Sequence, residues 1–240
     1  MRTPTEGAVH PSGMVRVFAL TLALTLRLAA QNSGSLNDAF ARLDKSSQQF
    51  HGLAAEINRT VHTAIVDADD KDSGTIKVKM EKAHEVRMLI NFTAPNPQAV
   101  SIDSKEATIY NPKIKKAQAW QLAGKKALVE EFLLLGFGAS SAALKESYDV
   151  TFVGMEKIGA DNTWHLQLIP KSKEVLQRLK KAELWIADNT GLPDQQRFVT
   201  SSAGDFHLVT YSNVKVNPPL SDGDVKLNLP KGVTVEHPQF

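Results

Sequence analysis

The chain has 240 residues, 42% apolar and 22% charged, with a formal net charge of +2. That is ordinary globular composition with material for one sizeable core, and the charge is too near zero for a nucleic-acid binder. There is no cysteine, which excludes disulfides, thiolate catalysis, Cys-ligated metals and an acyl anchor on an N-terminal cysteine.

Arg16 precedes the apolar run VFALTLALTL (17–26); Arg27 interrupts it, and Leu28-Ala29-Ala30 follow. So short a run cannot cross a bilayer core, which takes about 20 residues. A basic flank, a short apolar run and small residues read as a secretory signal peptide over residues 1–30, with Met14 as an alternative start. The expectation is an exported, soluble periplasmic protein with one domain over residues 31–240.

Residues 35–50 (SLNDAFARLDKSSQQF) read as a helix. Ser35 caps it with Asp38 three residues on, and Leu36, Phe40, Leu43 and Phe50 share a stripe. Residues 53–65 alternate, with Leu53, Ala55, Ile57, Val61 and Ile65 on one side and Arg59 breaking the apolar run. VDADDKDSG (66–74) reads as a solvated turn. It is not an EF-hand, because the sixth and twelfth positions counted from Asp67 hold Asp72 and Val78 instead of Gly and Glu. The strand TIKVKM turns Ile76, Val78 and Met80 inward, and residues 85–93 continue with Val86, Met88, Ile90 and Phe92. Further strands are expected at 98–103, 106–111 and 115–122.

KKALVEEFLLLGF (125–137) reads as a helix with a wide apolar arc, including Leu128, Val129, Phe132, Leu133, Leu134 and Leu135. Ser140 caps a second short helix over 140–147. Strands resume at 148–157, 163–169, 181–188, 195–201, 205–216 and 224–229. A short helix opens at Ser172, and residues 190–193 form a turn. The sum is ten or eleven strands, antiparallel through short turns, with one helix before them and others inserted.

Catalytic patterns fail in turn. The seven histidines (10, 51, 62, 84, 165, 207, 237) show no HExxH spacing and no close pair, and no G-x-S-x-G elbow is present. Gly136-Phe137-Gly138-Ala139-Ser140 lacks the lysine of a phosphate loop. No enzyme, metal or cofactor is expected. Lysines 113, 115, 116, 125 and 126 run without an intervening acid. They read as a solvated face that guards a sheet edge, or as a contact for anionic head groups or an acidic partner. Nucleic acid is not expected, since aromatics do not interleave with them. What remains is apolar geometry: one apolar sheet face, and a helix with more apolar surface than one packing face needs. Either the helix plugs the sheet, or the two enclose a pocket for an apolar ligand. Periodicity leaves both open.

A resemblance bears on the choice. In ATIYNPKIKKAQAW (107–120) a strand meets Tyr110-Asn111-Pro112, a polar run and then Trp120. IDSKEATIYNP (102–112), LQLIPKS (166–172), IADNTGLPDQQRF (186–198) and KLNLPKGVTVEHP (226–238) accompany it. In this order the chain resembles the LolA family of periplasmic lipoprotein carriers. The resemblance implies a mainly β fold: a curved, incompletely closed antiparallel β-barrel, or half-barrel, with helices as its lid. It implies a carrier that takes a triacylated lipoprotein from an inner-membrane lipoprotein-releasing ABC transporter. The carrier shields the acyl chains across the periplasm and passes them to an outer-membrane acceptor without covalent chemistry. A monomer is expected.

The family's Arg-Pro and aromatic-x-Trp are missing from KVKMEKAHEVRMLINF (77–92). Lys82 and Arg87 are the candidates to replace that lid latch, a solvated turn lysine being the plainer reading of Lys82. The departure keeps a second cargo open, free lipid or glycolipid, in a carrier, a sensor or a regulatory interaction module. A long acyl chain left in water costs on the order of 10 kcal/mol at about 0.8 kcal/mol per methylene, so a carrier needs a wide apolar hollow. By alternation and helix face, its lining is expected to be Leu53, Ile57, Val61, Ile76, Val78, Met88, Ile90, Phe92, Ile109, Leu128, Phe132, Leu135, Trp164, Leu166 and Leu168.

Overall fold

A computed structural model describes residues 35–82, 85–103, 105–122, 135–200 and 203–238. Helix α1 (Leu36–Ser47) starts where the sequence predicts: the Ser35 hydroxyl accepts from the Asp38 amide, and the Asp38 carboxylate accepts from the Ser35 amide at 3.0 Å. The capping box satisfies amides that a helix start leaves open.

Among the described residues twelve strands follow: β1 (Gly52–Thr63), β2 (Ala68–Lys82), β3 (Glu85–Ala94), β4 (Gln98–Ile102), β5 (Glu106–Asn111), β6 (Lys116–Gln121), β7 (Tyr148–Ile158), β8 (Asp161–Pro170), β9 (Lys181–Ala187), β10 (Pro193–Val199), β11 (Phe206–Val216) and β12 (Thr234–Glu236). They form one open, curved sheet in the order β12-β6-β5-β4-β3-β2-β1-β11-β10-β9-β8-β7. Two meanders, β1–β6 and β7–β11, join where β11 pairs with β1. Every pairing is antiparallel except that of β12 with β6. Two short helices, α2 (Ser141–Ser147) and α3 (Lys173–Leu176), are capped by Ser140 and Ser172. The chain between β6 and β7 carries residues 135–138 and α2.

The register explains the core. Leu53, Val78, Met88, Ile102 and Ala107 are cross-strand neighbours in one row, and Ala55, Ile76, Ile90, Val100 and Ile109 in the next. Directly opposed residues share a face, so this inner face is apolar across five strands. A second apolar region lies on β7–β9, where Leu166, Leu168 and Leu184 pack against Ala39, Phe40 and Leu43 of α1.

Three expectations need correction. Residues 68–74 are strand, not turn. The hairpin tip is only the 3-10 turn Ala64–Val66 with Asp67 at φ 47°. Two of the acids that suggested a turn have cross-strand partners: Asp72 is buried against Arg59, and Asp69 accepts from the His62 ring at 2.9 Å. Ile65 therefore falls on the tip and is 88% exposed instead of facing inward. Residues 224–229 are not a strand: Ser221 and Asp224 form a capping box that starts a 3-10 turn, Asp222–Val225. The twelfth strand, beyond the ten or eleven expected, comes later and pairs with β6.

Candidate functional site

The inner face gathers the residues that alternation selects. Leu53, Ile57, Ile76, Val78, Met88 and Phe92 are buried there, while Val61, Ile90 and Ile109 are half-buried. Trp164, Leu166 and Leu168 are buried under α1 in the β7–β9 half. Leu135 joins that same cluster. Leu128 and Phe132 lie outside the described residues, as does most of the helix expected at 125–137.

Residues missed at the sequence level close the face. Phe137 sits over the β1–β4 rows with its ring 6.3 Å from that of Phe50 and in edge contact with Tyr211 at 4.9 Å. Glycines frame it at φ 85° (Gly136) and 70° (Gly138), the left-handed region that a Cβ disfavours. A Cβ on Gly138 would stand 2.7 Å from Phe50 Cδ1, so the segment lies tight against its neighbours. A buried polar chain fixes it: the Tyr211 hydroxyl donates to Gln196 Oε1 at 2.6 Å, and Gln196 Nε2 donates to the Leu135 carbonyl. Burial raises the Tyr211 pKa, which keeps the phenol a neutral donor. The readable signal was Gly-Phe-Gly after an apolar run; nothing local marked Gln196 as its partner.

The face is not wholly apolar. Arg59 interrupts it, donating to Asp72 at 2.5 Å with its guanidinium carbon 4.0 Å above the centre of the Phe92 ring. Asn96 donates a further bond to Asp72 at 3.3 Å.

Arg87 stands on the other face. It is paired in register with Lys79 and lies 3.2 Å from Asp222 Oδ2. The Lys82 side chain lies outside the described residues. A cavity of about 540 Å³ also opens on this outer face, between β3–β5 and residues 222–229, lined by Arg87, Ser101, Lys105, Thr108, Asp222 and Leu227 among others. Its charged lining does not suit acyl chains. Phe137 packs on part of the inner face, where Val61, Ile90 and Ile109 stay half-buried.

Among the described residues, no three His, Cys, Asp or Glu side chains gather as metal ligands. Among the same residues, no helix is long and apolar enough to cross a membrane.

The profile of the family described as "Outer membrane lipoprotein carrier protein LolA" matches residues 48–227. The chain belongs to the LolA family. Membership supports a carrier-type role that binds lipid or lipoprotein, and LolA-family proteins are carriers and not enzymes. A comparison with curated proteins finds no match. Among solved structures, a conserved protein of Thermus thermophilus is similar at 13% identity and a TM-score of 0.53, over 85% of this LolA-family chain and 100% of that one. MucB is similar at 16% identity and a TM-score of 0.51, over 81% of this chain; the chain spans 64% of MucB. At such identities the likeness concerns the fold alone.

Proposed function

We propose that the protein is a periplasmic carrier that holds lipoprotein acyl chains against its inner face and moves them from the inner to the outer membrane. Residues 31–240 serve as one lipid-binding domain once the export signal at 1–30 is removed. The supporting observation is the pair of apolar rows spanning β1–β5 beneath a short glycine-framed segment. Magnitudes favour displacement. Burying a Phe or Leu side chain contributes about 1.5–3 kcal/mol, so lifting Phe137 and Leu135 costs less than one acyl chain recovers, on the order of 10 kcal/mol. The lining is then Ile76, Val78, Met88, Ile90, Phe92 and Ile109, and the protein does no covalent chemistry. Donor and acceptor are an inner-membrane ABC transporter and an outer-membrane acceptor, as the family's name and the sequence resemblance suggest.

A second reading, free lipid or glycolipid as cargo, draws on one observation. The Arg-Pro expected within 77–92 is absent, and Arg87 is engaged with Asp222 on the outer face. Purification from the native periplasm followed by mass spectrometry of the co-purifying material separates the two. Acylated N-terminal peptides support lipoprotein cargo, and phospholipid or glycolipid alone supports the second reading. A preparation free of acyl groups contradicts both.

A further inference from the structure

In an antiparallel meander alternate turns share one end of the sheet, so the β1–β2 and β5–β6 turns lie at the same end. The β5–β6 turn is stiff. The Asn111 side chain accepts from the Lys113 amide at 3.0 Å, and Lys115 adopts φ 52°. At its tip Ile114 is 61% exposed. Lys116 is compensated by Glu236 at 2.9 Å. Lys113 donates to the Pro95 carbonyl, which leaves its charge in place, and the Lys115 ammonium meets no acid among the described residues. The tip therefore presents an isoleucine between two uncompensated ammonium groups. On the β1–β2 turn Ile65 and Val66 are 88% and 67% exposed. Acids at 67, 69 and 70 follow them, so attraction for an anionic surface belongs to the lysine tip.

A scattered apolar side chain on a surface needs no explanation. An isoleucine on a rigid turn between lysines matches one kind of partner closely. An anionic bilayer accepts the apolar side chain at its acyl boundary while lysine stems reach back to the phosphates. We propose that the β5–β6 turn is a membrane-surface contact: Ile114 enters an anionic bilayer, Lys113 and Lys115 meet lipid phosphates, and Ile65 with Val66 forms a second apolar anchor. The attachment is brief and salt-sensitive, and it does not depend on what the inner face carries.

The test is flotation of the full chain with phosphatidylcholine vesicles, with and without phosphatidylglycerol. The wild type floats only with phosphatidylglycerol present and is released by high salt. Lys113→Gln and Lys115→Asn each weaken binding about fivefold; Asn is chosen because it tolerates the positive φ. Ile114→Ser weakens it by up to about tenfold, and Ile65→Ser by a smaller factor. Thermal melts of each variant matching the wild type exclude misfolding, and undiminished acyl binding at the inner face separates this contact from cargo binding. Equal flotation with both vesicle types, or lysine and Ile114 variants that float like the wild type, overturns the proposal.

Discussion

Arg42 of α1 lies over Trp164 of β8, its guanidinium carbon 4.3 Å from the ring centre, and both side chains donate to Asp188. The indole hydrogen bond, at 2.9 Å, holds the Asp188 carboxyl below its usual range; burial opposes it, and Arg42 adds to the lowering. The trio pins the N-terminal helix to the sheet. Asp188→Ala is expected to cost about 1 kcal/mol at pH 7, modest because the ion pair is part-exposed and screened. A carboxyl with a lowered folded pKa stabilises above its unfolded value of 3.8 and loses that contribution as pH falls through the folded value. Urea unfolding at pH 7 should therefore separate variant from wild type, and the gap should narrow in strong acid.

Asp194 behaves in the opposite sense. Burial, helped by the Asp161 charge, raises its pKa to about 6, and its Oδ2 is buried without a hydrogen-bond partner. Ionising it in the fold costs stability. The penalty begins as pH rises past the unfolded value of 3.8 and is complete above about 6. Asp194→Asn should melt higher than the wild type at pH 8 and equal it at pH 3. A variant less stable at pH 8 contradicts this.

Gly74 sits between Ile57 and Phe92 in the cross-strand register. A Cβ there would stand 2.1 Å from the Asn91 carbonyl oxygen. Since that oxygen belongs to the neighbouring strand, the clash is relieved only by parting β2 from β3. Gly74→Ala should destabilise by about 3 kcal/mol, the upper range for overpacking, as read by the denaturation midpoint.

The segment after β11 is clamped to the outer face by charge. Lys77 donates to Asp224 at 2.7 Å and Lys79 to Asp222 at 2.5 Å. The Lys77 bond first, and then those from Ser221, hold the Asp224 carboxyl well below the usual range. Acid strong enough to protonate it, high salt, or Asp222→Asn with Asp224→Asn should raise hydrogen exchange in residues 218–238. Inner-face lipid binding should not change, because the clamp lies on the other side of the sheet.

Much of this was legible where local chemistry and tertiary structure agree. Ser35 with Asp38 announced α1, and alternation assigned Ile76, Val78, Met88 and Ile90 to one face, because a pleated strand with one buried side leaves little choice of register. What escaped depended on partners distant in sequence. Acids at 67–72 looked like a turn until Arg59 and His62 came to lie opposite two of them. Arg87 looked available for a latch until Asp222, 135 residues onward, met it on the outer face. β12 was hidden because three residues carry no period; the pairing with β6 makes it a strand. Phe137 read as part of a helix end, and only its Phe50 and Tyr211 contacts show it packing on the inner face.

Photo-crosslinking with a diazirine-bearing acyl chain tests the central claim most directly. If acyl chains enter by displacing Phe137, the label maps to Ile90, Phe92 and Ile109, and Phe137→Ala increases the yield. Labelling confined to the outer-face cavity around Arg87 and Lys105, or none above an unrelated protein, contradicts a carrier that uses its inner face.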